Sequence, residues 1–108
     1  MKFVKNVGEN SLLEKGKIYQ VSRRTLKGEY VLKGIEGRFL KTEFEPVKIH
    51  QGTAIYMPKI GKAFKCDCYE KGRKVVYETS PVVEIHKNGR QYIVYTQNSV
   101  YIIFVLLE

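Results

Sequence analysis

The sequence has no tryptophan, two cysteines, three prolines and a single aspartate, Asp67. Cys66 and Cys68 are one residue apart, a poor basis for a disulfide framework. The opening residues 1–7 lack the apolar core and small-residue cleavage site of a secretory leader. Both features fit a reducing compartment, so a cytoplasmic location is expected. The apolar run at residues 100–107 falls far short of the ~20 residues that a membrane-spanning helix needs. No membrane partner is expected. Signatures of chemistry are missing too. There is no Gly-x-Ser-x-Gly, no paired Cys/His signature and no phosphate-cradling glycine loop. No catalytic residue is therefore nominated, and a non-enzymatic role is expected. Zinc wants four ligands, usually with Cys-x₂₋₄-Cys spacing, and only His50 and His86 are at hand to complete a set with the cysteines. The plainer reading makes Cys66 and Cys68 small apolar residues facing a core beside Phe64. Neither a metal nor another cofactor is expected.

What is present points to an all-β chain. Hydrophobic residues make up 44% and aromatics 12%, including eight tyrosines, which supports folding over disorder. No segment keeps a helical period. Residues 82–107 read as a C-terminal three-stranded antiparallel meander, rich in Val, Ile, Tyr and Phe. Asn88-Gly89 suits a type I′ turn. That turn sets Lys87 opposite Arg90, Ile85 opposite Tyr92 and Val83 opposite Val94, with the last two pairs forming the apolar face. The segment at 100–107 is apolar on both faces. That fits a central strand, or alternatively an edge strand completed by another chain.

Further strands are expected at residues 2–7, 17–22, 29–33, 38–41, 53–57, 63–69 and 74–78. Pro46 marks a place where no central strand continues. In the segment at 63–69, Phe64, Cys66 and Cys68 share one face, and Lys65, Asp67 and Tyr69 share the other. A weak repeat aligns Gly16-Lys-Ile-Tyr-Gln-Val21 with Gly61-Lys-Ala-Phe-Lys-Cys66. It divides the chain into β halves at 1–49 and 50–108, joined as one compact unit.

The first half, with Gly16-Lys-Ile-Tyr-Gln-Val, Glu29-Tyr-Val-Leu, Gly37-Arg-Phe-Leu and Phe44-Glu-Pro-Val, resembles small SH3-like β-barrel modules. The second half, with Gly61-Lys-Ala-Phe, Thr79-Ser-Pro-Val-Val-Glu and Thr96-Gln-Asn-Ser-Val-Tyr, resembles short all-β proteins of Gram-positive phages and mobile elements. Some proteins of that type inhibit host defence, including CRISPR nucleases. The resemblance therefore implies a host nuclease as one candidate partner, met by protein–protein contact. It carries over no functional residues.

Lys and Arg outnumber Asp and Glu by 19 to 11, a net charge of +8. Such an excess favours an acidic partner, with nucleic acid or a nucleoprotein foremost. Arg23, Arg24 and Lys27, then Lys71, Arg73 and Lys74, then Lys87 and Arg90, all fall at expected turns. Cations at the tips of a small barrel can converge on phosphates and release counterions. Arginine adds bidentate contacts. These eight residues are the candidate nucleic-acid-binding set. Tyr19, Tyr30, Tyr92 and Tyr95 are candidates to stack on bases if exposed. The competing readings are solubility for the cations and core packing for the tyrosines.

Overall fold

Ten short strands are laid out in a computed structural model that describes residues 1–107. No α-helix occurs among them. They fold as two units, Met1–Lys48 and Ile49–Glu108.

The first unit contains β1 (Lys2–Asn6), β2 (Ile18–Arg24), β3 (Tyr30–Leu32) and β4 (Phe44–Pro46), in the sheet order β3-β2-β1-β4. Pro46 is accommodated because β4 is an edge strand. The strand expected at 38–41 shrinks to one bridge, Tyr30 with Phe39, followed by a 3-10 turn at Lys41–Glu43. The core gathers Val4, Leu13, Tyr19, Tyr30, Leu32, Phe39 and Phe44. Phe44 meets Tyr30 and Phe39 edge-on, with ring centroids 5.6 and 6.4 Å away. Asn6 is fully buried and ties the following loop to the sheet. Its Nδ2 donates to the Glu14 carbonyl at 3.1 Å, and its Oδ1 accepts from the Gly8 amide at 3.1 Å.

The second unit contains β5 (Lys48–Tyr56), β6 (Lys65–Glu70), β7 (Arg73–Glu78), β8 (Glu84–Asn88), β9 (Gln91–Tyr95) and β10 (Ser99–Leu107). The sheet order is β7-β6-β5-β10-β9-β8. The C-terminal meander forms as expected, with β9 antiparallel to both β8 and β10. Strand β10 is central, as its two apolar faces suggested, and Val100–Ile103 are buried. The edge-strand alternative for it is thereby excluded. Cys66 and Cys68 point into the core with Ala54, Val82, Tyr92, Val94, Tyr101 and Ile103, and Phe64 packs beside them.

Two details depart from the sequence reading. The β8–β9 register is shifted, so Ile85 faces Val94, Lys87 faces Tyr92 and Asn88 faces Gln91. The turn is Gly89-Arg90, and Gly89 takes φ +64, as a first-position glycine in a type II′ turn does. This keeps Ile85, Tyr92 and Val94 on the core face and removes the repulsive Lys87/Arg90 pair, but Val83, expected there too, is 57% exposed, and Val82 is buried in its place. Lys87 Nζ instead sits 5.8 Å from the Tyr92 ring centroid. Strand β5 also starts five residues earlier than expected, passing through Gly52. Both sheets are open, ending in β3 and β4 or in β7 and β8, so no closed barrel forms among the described residues.

Candidate nucleic-acid interface

The first three candidate cations stand where β2 ends. Val21 pairs with Leu32, but Arg23 pairs with Val31, so β2 bulges between Val21 and Arg23. A bulge adds local twist and re-aims the side chains beyond it. Arg23 and Arg24 are therefore exposed strand residues, not loop residues as expected. The turn proper is a tight one. The Thr25 amide donates to the Glu29 carbonyl at 2.9 Å, and the Glu29 amide donates to Thr25 Oγ1 at 3.1 Å. Gly28, at φ +84, donates to the Thr25 carbonyl at 2.9 Å.

Tyr30 organises the rest. Its backbone pairs with Arg24 on one side and bridges Phe39 on the other, through reciprocal hydrogen bonds of 2.8 and 2.9 Å. That second pairing carries Arg38 to the same place. Arg23, Arg24, Lys27 and Arg38 line one cleft of about 530 Å³ with Thr25, Leu26 and Glu29. Four cations thus share a concavity with one carboxylate. None of the four is in an ion pair among the described residues. Leu26 stands fully exposed at the lip.

Within the second unit the candidate cations do not form one face. Lys71 lies in the β6–β7 turn, and Arg73 and Lys74 lie on β7 itself, at one edge of the sheet. Lys74 Nζ is 3.4 Å from Asp67 Oδ2, so part of its charge is already met. Lys87 and Arg90 belong to the β8–β9 hairpin at the opposite edge. They line a separate cavity of about 710 Å³ with Thr53, Gly89, Phe104, Val105 and Leu106. Of the eight candidates only Lys27, Lys71 and Arg90 occupy turns; the other five are strand residues.

The four tyrosines considered for base stacking are all buried, at 8% exposure or less. They serve the cores. Among the described residues the exposed aromatic rings are instead Tyr56 and Tyr69, at 72% and 73%, and Phe104, at 45%. Ile55 and Val76 are also exposed, and an open groove of about 540 Å³ is lined by Ile55, Tyr56, Met57, Phe64 and Val76 with Lys59, Lys62 and Lys65. Alternation on β6 pointed to Tyr69; nothing in the spacing pointed to Tyr56.

The ionisable cluster in the second core is occupied with itself. His50 Nδ1 is 2.7 Å from Glu70 Oε1, and the Tyr77 hydroxyl donates to the same oxygen at 2.7 Å. Tyr101 stacks on His50 at 5.1 Å. The Cys66 and Cys68 sulfurs are 3.9 Å apart. Burial, then the neighbouring Cys68, pushes the Cys66 thiol up to about 12, so it stays protonated. His86 pairs with Glu84 at 3.0 Å, away from the cysteines' face. Among the described residues no group of three or more His, Cys, Asp or Glu side chains is placed to hold a metal. No helix of the described residues is long and apolar enough to cross a membrane.

Compared with protein-family models, curated proteins and solved structures, the chain finds no match.

Proposed function

We propose that this is a non-enzymatic binding protein whose first unit, read as an SH3-like half-barrel, engages nucleic acid or a nucleoprotein. A small open sheet around an aromatic core supports the SH3-like reading. The observation that carries the binding proposal is the cleft of Arg23, Arg24, Lys27 and Arg38, none of which is in an ion pair among the described residues. Guanidinium groups match phosphate oxygens bidentately, and clustered cations gain further from counterion release. Of the eight candidates, Arg23, Arg24 and Lys27 line this cleft, whereas Lys71, Arg73, Lys74, Lys87 and Arg90 lie outside it and drop out of the proposed contact set. The test is charge reversal. R23E/R24E/R38E should bind short single- or double-stranded oligonucleotides roughly tenfold or more weakly, as lost phosphate contacts require. Unchanged affinity overturns the reading.

A second reading is favoured by the exposed apolar groove of the second unit. There Ile55, Tyr56 and Val76 offer a protein-binding patch of the kind an inhibitor of a host defence nuclease would use. Affinity purification from a Gram-positive lysate with and without nuclease treatment separates the two. A partner lost on nuclease treatment supports the cleft; one retained supports the groove.

A further inference from the structure

Strand β7 is the outermost strand of its sheet, and Lys74, Val76 and Glu78 on it are exposed. The hydrogen-bonding side of each residue follows from the hairpin. A two-residue Lys71-Gly72 turn leaves Glu70 and Arg73 facing each other, then Cys68 with Val75 and Cys66 with Tyr77. In an antiparallel pair, hydrogen-bonded and non-hydrogen-bonded residue pairs alternate. The Thr79 amide donates to the Phe64 carbonyl at 2.9 Å, which continues the bonded series. The backbone groups of Lys74, Val76 and Glu78 therefore point away from β6, to the open edge.

We infer that this edge pairs with the β7 edge of a second copy of the chain. The pattern is self-complementary in one antiparallel register. With a two-fold axis through Val76, each Lys74 faces Glu78 of the other copy, and Val76 faces Val76. On the core-side face Val75 meets Tyr77. All three outward-pointing residues then oppose outward-pointing residues, as ladder bonds require. A shift of one residue puts unlike faces together. A shift of two residues either way leaves Lys74 or Glu78 opposite Val76. Charge thus selects the register. It also extends a row already present, because Lys65 lies opposite Glu78 within the chain and Lys74 reaches Asp67. A lone lysine on an edge strand repels a copy of itself; here a glutamate is set where it meets that lysine. The pairing continues the six-stranded sheet into its copy and brings the two Val76 side chains, each 60% exposed, into contact.

Sedimentation equilibrium of the full chain tests this. The wild type should reach twice the 12.6 kDa chain mass as concentration rises. K74E and E78K should each weaken the dimer roughly tenfold or more, since like charges then face each other twice. The double variant K74E/E78K should restore it. V76P removes the amides at the two-fold axis while respecting the β6 side. It should be monomeric with an unchanged circular dichroism spectrum. A wild type that is monomeric at every soluble concentration overturns the inference. So does a dimer that survives both V76P and K74E, or one that the double variant fails to restore. Protection of the β7 amides that appears only on adding a different protein assigns the edge to that protein instead.

Discussion

Gly52 sits inside β5, where strand preference favours a branched or aromatic side chain. A Cβ there would overlap the Asp67 carbonyl oxygen and approach Cys68 Cα to 2.9 Å. The glycine lets β5 and β6 come together. Gly52→Ala is expected to destabilise the protein by about 1–3 kcal/mol, as overpacking does, read as a lower urea midpoint. Cys66 and Cys68 are buried and their thiols are held above the usual range, chiefly by burial. Both should react with a disulfide reagent at mildly alkaline pH only after unfolding; prompt reaction in the native protein contradicts the packing. Tyr77 gives a pH dependence. Its hydrogen bond to Glu70, then burial, pushes the phenol from 10.0 up to about 12. The folded state thus holds the proton more tightly. That stabilisation is complete below the unfolded value and is lost as pH rises through the folded one. Tyr77→Phe should flatten the fall in stability across this window, followed by denaturant titration at each pH.

At the level of strands, the positions of the elements were largely legible. Alternation placed Phe64, Cys66 and Cys68 in the core, and two apolar faces placed β10 at the centre of its sheet. Turn registry and strand ends were harder to read. Asn88-Gly89 and Gly89-Arg90 are both sound turn pairs locally, and the choice was settled by cross-strand partners: Lys87 avoids Arg90 and covers Tyr92. Arg23 and Arg24 looked like loop residues because basic side chains carry no strand signal, yet β2 continues through them by way of a bulge. Arg38 joined the cleft through a single backbone bridge between distant residues, which periodicity does not report. The buried tyrosines show the same limit, since alternation alone does not say which face is covered. The β6–β7 turn offers a test that separates stability from binding. Lys71 takes φ +51, in a region that costs a side-chain-bearing residue energy. Lys71→Gly should stabilise the hairpin by about 1 kcal/mol, seen as a higher thermal midpoint. If the cleft is the binding site, its affinity for nucleic acid should barely move.

Over the whole chain, a net charge of +8 has to be carried somewhere. Part of it is answered locally, as at Lys74 with Asp67 and Lys15 with Glu9. An unanswered share that the fold collects in one concavity is at Arg23, Arg24, Lys27 and Arg38. The central claim is that these four cations replace the counterions of a phosphate backbone. The most direct measurement is oligonucleotide affinity by fluorescence anisotropy over a range of salt concentrations, for the wild type and R23E/R24E/K27E/R38E. Four lost phosphate contacts should make the slope of log affinity against log salt shallower by about 3 to 4. Equal slopes and equal affinities for the two proteins would contradict the account.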